Sequence, residues 1–264
     1  MPELPEVETV VRTVAPYLTG RVIVAAEFTS RFVTPGNRST LSKHLAGRRI
    51  EAVRRRGKFI LVHLDVGVLS IHLGMTGRLL MASEKRAGKP VEHTYAEFAL
   101  DDGVLLYQDP RQFGKIEWNP RRVERLGPEP LEISFEEFRT RLRRKARIKP
   151  LLLNQSFLAG LGNIYADESL FAAGIHPLAS AAKLSAPRAA KLHQAIREIL
   201  TAAIEAGGSS ISDYVDAEGR KGWFQVSHRV YGREGEPCVN CATPIRRIVV
   251  AQRSSHFCPR CQKR

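Results

Sequence analysis

Cysteine is absent from the first 237 residues of this 264-residue chain. A disulfide framework running through the whole fold is therefore excluded. No apolar run is long enough to span a bilayer, which rules out a membrane-spanning helix. The opening Met1-Pro-Glu-Leu-Pro-Glu-Val-Glu8 lacks a basic-then-apolar export pattern, so the expected location is cytoplasmic. There is no internal repeat and no low-complexity tract, which argues against a solenoid or a disordered tail. Acidic residues are few: 27 Asp+Glu stand against 41 Lys+Arg, for a formal net charge of +14. Aromatics are 7% of the chain, yet the hydrophobic fraction of 43% is that of a globular protein. The length points to two domains.

The cysteine that is present lies in the last 27 residues, as Cys238-x2-Cys241, sixteen residues, then Cys258-x2-Cys261. A CxxC pair holds two thiolates on one tight turn, so both reach one ion. Two such pairs supply the four sulfurs of a tetrahedral zinc site with no coordination position left for a substrate. Two disulfides or an iron–sulfur cluster are the competing readings. The paired spacing and the absence of an export signal favour one structural Zn2+. The β-branched run from Pro244 to Arg253, with its charged flanks, predicts a hairpin joining the pairs. The metal would stiffen a basic finger too small to fold on its own core.

The positive charge is clustered. Arg54-Arg55-Arg56 with Lys58 is one group, and Arg139–Lys149 holds seven basic residues in eleven. From Arg220 to Arg264 ten Lys/Arg oppose Glu234 and Glu236. Such density attracts a polyanion and releases its counterions. A single basic run is usually a solvated face. Three of them beside a zinc finger point to nucleic acid rather than to an anionic membrane, for which no amphipathic anchor is visible.

Residues 5–18 read as a helix: Pro5 suits its first turn, and Val7, Val10, Val11, Val14 and Leu18 form one stripe. The period then changes to that of strands at Val22–Phe28, Phe59–Leu64, Val68–Leu73, Tyr95–Leu100 and Val104–Gln108, with turns at Asp65-Val-Gly67 and Asp101-Asp-Gly103. Beyond about residue 130 the pattern is helical, with Ser134 capping one helix and Ser185 capping a long one stopped by Gly207-Gly208. Asn163 is expected to cap another after the Gly160-Leu-Gly162 turn. Residues 209–235 read as a long loop. The expected class is α+β: an N-terminal helix with an antiparallel sandwich or barrel (1–125), a helical domain (126–225) and a zinc finger (226–264).

Pro2 is the most unusual chemical candidate. Removal of Met1 would leave a secondary amine of pKa about 8, partly neutral and able to attack a carbon of carbonyl character. Taken alone, a proline at position 2 is most simply an accident of the start site. Glu3 and Glu6 can shuttle protons to such an amine, or can neutralise the helix N-terminus, the reading favoured for Glu6. Gly160-Leu-Gly-Asn163 opens a helix whose N–H groups suit a phosphate, or is plain helix–turn–helix packing. His72-Leu-Gly-Met75 and Asp109-Pro-Arg-Gln-Phe113 follow strands. Met75, Arg111 and Phe113 are the kinds of side chain that wedge between bases, although apolarity alone assigns Met75 and Phe113 to the core.

In this order, Pro2–Glu8, Lys58, Asp109-Pro-Arg111 with Phe113-Gly114, Asn154-Gln through Glu168, and the four-cysteine finger with Ala251-Gln-Arg253 resemble the formamidopyrimidine-DNA glycosylase family over essentially the whole chain. The resemblance implies a bifunctional repair enzyme that excises 8-oxoguanine and formamidopyrimidines from damaged double-stranded DNA as a monomer. Its fold would be a β-sandwich followed by a helix–two-turn–helix and a zinc finger. It implies that Pro2 attacks C1′, that Glu3 protonates the opening sugar, and that Glu6 supports that geometry. Lys58, His72, Asn163 and Arg253 would hold phosphates. Met75, Arg111 and Phe113 would fill the space of the extruded nucleotide, with Arg111 facing the orphaned base. A loop over about 209–224 would cover the flipped base. Gln112 stands where the family often has a second arginine, which removes a charge beside the wedge and bears on opposite-base preference. A non-catalytic damage-binding protein and an endonuclease VIII-like enzyme for oxidised pyrimidines are the alternatives. Leu4 and the Met/Arg/Phe set favour the purine-lesion branch over the latter.

Overall fold

Helix α1 (Leu4–Leu18) buries Val7, Val10, Val11, Val14 and Leu18, the stripe predicted from spacing. Burying each such side chain stabilises the fold by about 1.5–3 kcal/mol. The computed structural model describes residues 1–82, 92–209, 220 and 222–264. It divides into two units, Met1–Glu124 with Ala206–Trp223, and Arg125–Glu205 with Phe224–Arg264.

In the first unit α1 is followed by β1 (Val22–Phe28), α2 (Arg38–Leu45), β2 (Arg48–Arg56), β3 (Phe59–Leu64), β4 (Val68–His72), β5 (Arg78–Ala82), β6 (Thr94–Leu100), β7 (Val104–Gln108), β8 (Lys115–Trp118) and the single turn α3 (Arg121–Glu124). Every pairing is antiparallel, in the order β5-β7-β6-β1-β2-β3-β4-β8. The two halves of that order join where Val22 pairs with Arg49 and Ile23 with Arg48. Phe98, Tyr107 and Leu79 of one half share a core with Ile60, Ile71 and Leu69 of the other. This is the sandwich solution, two sheets burying one face each against a common interior. The turns fall at Asp65–Gly67 and Asp101–Gly103, where Leu64 N–H meets Gly67 O and Leu100 N–H meets Gly103 O.

Strand β2 has no counterpart among the expected strands, because Arg54-Arg55-Arg56 reads in the sequence as a charge cluster. Its buried positions are few, Ile50 and Val53 among them, and Arg55 is turned inward to Glu8 at 2.9 Å. Strands β5 and β8 and helix α2 were likewise not anticipated.

The second unit contains α4 (Phe135–Arg141), capped by Ser134, then α5 (Ile148–Leu153), α6 (Asn163–Ala173), α7 (Ala186–Glu205) and the hairpin β9 (Arg246–Val250) with β10 (Arg253–Phe257). Helix α6 is capped by Gly162, not by Asn163, which is its first helical residue. As the first helical residue Asn163 does not cap, and its amide nitrogen lies near Ser254 Oγ instead. Nine of the eleven residues of α6 are buried, which marks it as the central element of its unit. The C-terminal segment docks on its end: His176 N–H donates to Lys263 O, Lys263 N–H to Gly174 O, and Gln262 Nε2 to Ile175 O.

Candidate functional site

The N-terminal cluster is built by the start of α1. Pro2 is buried and immediately precedes Glu3, the N-cap residue. Glu3 N–H donates to Glu6 Oε2 at 2.8 Å in a capping box. The other oxygen of Glu6 accepts the Ser209 N–H at 2.7 Å. Glu6 is thus buried with both carboxylate oxygens engaged by backbone donors, rather than merely neutralising the helix end. The segment it holds is closed on itself: Ser209 bridges to Trp223, and Trp223 N–H donates to Ala206 O at 3.0 Å. Of the covering loop predicted over about 209–224, residues 210–219 and 221 lie outside the described residues.

Met75, Arg111 and Phe113 stand on two loops fastened together by Asp109. This fully buried carboxylate accepts the Thr76 hydroxyl at 2.5 Å, the Tyr107 hydroxyl at 3.3 Å and the Gly114 N–H at 2.8 Å. Burial, then the Asp109 charge, pushes the Tyr107 hydroxyl far above its ordinary range, so it remains a donor. Gly114 lies so close to the Tyr107 oxygen and to the His72 carbonyl that any side chain would collide with them. Above this base Met75 is 40% exposed and Phe113 52% exposed, so the core assignment from apolarity is wrong for both. The Arg111 guanidinium lies over the Phe113 ring at 4.6 Å.

Lys58 and His72 are neighbours across the β3–β4 ladder, where Phe59 pairs with His72 and their rings lie 4.9 Å apart. Burial, then the cations Lys58, Arg122 and Lys115, lowers the His72 pKa to about 4. Gly74 N–H donates to its Nδ1 at 3.1 Å, which leaves the proton on Nε2. A neutral N–H donor beside a lysine suits a phosphate oxygen.

In the second unit Asn163 Nδ2 lies 3.4 Å from Ser254 Oγ, so the helix start and the Arg253–Ser254 strand start are brought together. Lys149 holds that strand from below, with Nζ 2.7 Å from Ser254 O and 2.6 Å from Asp167 Oδ1. Lys149 and Asp167 are both fully buried, so Lys149 is internal and does not belong to the surface charge run in which the sequence placed it. Removing one member of such a pair typically costs about 3–5 kcal/mol. Asp167 also accepts the His256 N–H at 2.9 Å, and Glu168 accepts the N–H groups of Arg229, Val230 and Tyr231.

The four cysteine sulfurs lie within 4.8 Å of one another, with Cys238–Cys261 at 3.9 Å and Cys241–Cys258 at 3.5 Å. Tetrahedral Zn–S bonds of about 2.3 Å require S···S separations of about 3.8 Å, so the set fits the ion. Hydrogen bonds from Thr243 lower Cys241 to about 6, whereas burial and the neighbouring sulfurs raise Cys261 to about 12. Four thiolates this close need a cation to neutralise them.

Sequence reasoning gave no task to Asp109, Thr76 or Asp167, and it placed Lys149 in a surface charge run and Ser209 at the start of a covering loop rather than in the internal contacts they make. Asp109 lay inside the quoted motif, but nothing local signals that its carboxylate faces inward. The others act through contacts distant in sequence.

Three family models cover most of the chain: the formamidopyrimidine-DNA glycosylase N-terminal domain over residues 1–116, its H2TH domain over 126–215, and a zinc finger found in FPG and IleRS over 235–264. A formamidopyrimidine-DNA glycosylase of Solibacter usitatus is 61% identical over 270 residues, covering 100% of both chains. The crystal structure of a Lactococcus lactis FPG mutant with Fapy-dG-containing DNA superposes with TM-score 0.91 at 38% identity and covers 100% of both chains. The MutM (FPG) protein of Thermus thermophilus gives 0.88 at 42% identity, over 99% of this chain and 98% of that one. An antiparallel sandwich, an H2TH helical unit and a four-cysteine finger define a DNA-repair glycosylase. The chain belongs to the formamidopyrimidine-DNA glycosylase family.

Proposed function

We propose that this protein is a bifunctional glycosylase and AP lyase that removes oxidised purines, 8-oxoguanine and formamidopyrimidines, from double-stranded DNA through Pro2. The observation that carries this reading is the buried Pro2–Glu3–Glu6 cluster at the N-terminus of α1. Once Met1 is removed, the Pro2 nitrogen is an amine at the positive end of a helix, which disfavours its ammonium form and leaves a nucleophile. That nitrogen bonds to C1′ as the glycosidic bond breaks and the base departs with a proton. Glu3 protonates O4′ as the sugar ring opens to the iminium. It then accepts the C2′ proton, and the 3′ phosphate leaves. Water releases the sugar and restores the amine. Glu6, held by Glu3 N–H and Ser209 N–H, fixes the geometry.

Extruding a nucleotide costs a few kcal/mol. Met75, Arg111 and Phe113 offset that cost by occupying the vacated stack, and Lys58, His72, Asn163 and Arg253 grip phosphates. The division of labour is a catalytic segment at 1–125, a helical segment at 126–225 and a finger at 226–264, working as a monomer in the cytoplasm on the nucleoid. Cys238, Cys241, Cys258 and Cys261 hold one structural Zn2+, which supplies rigidity and no chemistry.

Borohydride reduction in the presence of an 8-oxoguanine duplex is expected to trap a covalent adduct on Pro2 of the processed protein. Processed protein that binds the duplex yet yields no adduct would point to the damage-binding alternative. Adducts formed only with thymine glycol would point to the pyrimidine-lesion enzyme.

A further inference from the structure

Gln112 is the one departure from the family pattern in the wedge loop, and its conformation is unusual. Its φ is +53°, in the left-handed region. Its side chain turns away from Arg111 and Phe113: Oε1 accepts the Ser30 hydroxyl at 2.6 Å. Ser30 is buried, and its oxygen also accepts the N–H groups of Phe32 and Val33 at 3.1 and 3.2 Å. Two more bonds tie the same loops together. Lys115 Nζ donates to Phe32 O, and Ile116 N–H donates to Val33 O at 2.8 Å. The tip so fastened carries Arg31 and Phe32, both exposed, with the Arg31 guanidinium over the Phe32 ring at 5.0 Å. Phe32 is 57% exposed although the backbone on either side of it is anchored.

Two arginine-over-phenylalanine pairs therefore stand on neighbouring loops, Arg111 with Phe113 and Arg31 with Phe32, and the Gln112–Ser30 hydrogen bond links their bases. An exposed aromatic with a cation on its face, on a base that cannot fold it inward, is a surface for stacking and for phosphate. Lys115 adds a third cation, so the charge complements a polyanion. We propose that Arg31 and Phe32 form a second contact with the duplex, beside the wedge, and that Gln112 is the positioning residue that keeps the two contacts in register. This rests on the reading that the protein binds damaged DNA. It assigns Gln112 an internal hydrogen bond in place of the charge that an arginine would present.

The test is binding to a duplex carrying an uncleavable abasic analogue, measured over a salt series, with unfolding temperature as the folding control. Both side chains are exposed, so Arg31→Ala and Phe32→Ala are expected to unfold at the wild-type temperature. Arg31→Ala should reduce the slope of log affinity against log salt by about one, and Phe32→Ala should weaken binding about 3–10-fold at unchanged slope. Gln112→Ala should weaken binding as Phe32→Ala does, and the double variant should be no weaker than either. Wild-type slope for Arg31→Ala together with wild-type affinity for Phe32→Ala would overturn the inference. Failure of the wild-type protein to prefer the damaged duplex would instead overturn the functional reading beneath it.

Discussion

Gly208 has φ +82°, and a methyl built on it would lie 2.8 Å from Glu6 Oε1 and 3.2 Å from Glu6 Cα. One of the two left-handed glycines beyond the end of α7 is therefore the one that lets Glu6 reach Ser209. In Gly208→Ala a left-handed alanine costs about 1–2 kcal/mol, and the clash displaces the Glu6 carboxylate from its two donors. The expected outcome is a single-turnover excision rate at least ~10-fold lower, with duplex affinity within about threefold of wild type. Equal excision rates at equal folded fraction would show that Glu6 needs no such clamp. The sequence marked Gly208 as a helix stop and Glu6 as a dipole partner, since both roles are local. Their meeting across about 200 residues has no local signature. Asp109 is the same case: its neighbours were quoted as a motif, but the partners of its carboxylate, Thr76 and Tyr107, could not be paired from spacing.

At the scale of elements, the hairpin β9–β10 and the strands β1, β3 and β7 were legible because short β-branched or apolar runs are bounded there by turn or charged residues. Strand β2 was not, because its arginines outnumber its apolar positions and one of them, Arg55, is turned inward to an acid on α1. The start of α6 was misplaced by one residue because an asparagine beside a glycine is the better cap on local chemistry. The four sulfurs of the finger share one small core with Phe171, Val230 and Ile245. Structural zinc sites in finger peptides contribute roughly 10–16 kcal/mol, far more than so small a core. Cys258→Ser, or chelation of the metal, is accordingly expected to release about one equivalent of zinc per chain and weaken duplex binding at least ~10-fold, while the N-terminal amine persists. Zinc content by atomic absorption and binding by anisotropy are the measurements. Undiminished affinity in a zinc-free protein would remove the finger from the DNA grip.

Across the whole molecule, histidine proton linkage is largest at two residues, with His176 lowered in the same sense. His72 and His228 are each lowered from 6.5 to about 4, chiefly by burial. The unfolded chain binds those protons at a higher pH than the native state does. Their contribution is therefore fully present above about pH 6.5, and stability declines as pH falls from there toward 4. Glu168, raised by burial, works in the opposite sense. The histidine effect is best read as a difference: urea midpoints of the wild-type protein should fall more steeply between pH 7 and 4.5, roughly the span of the two pKa values, than those of His228→Asn. Parallel curves would mean that His228 is protonated as readily in the fold as outside it.

The enclosed Lys149–Asp167 couple also constrains how this lineage can change. Neither partner can be exchanged first without stranding the other's charge in a dry interior, so a descendant would have to replace both together or pass through a crippled intermediate. Two positions of ordinary appearance thus become a historical ratchet, inherited as a unit.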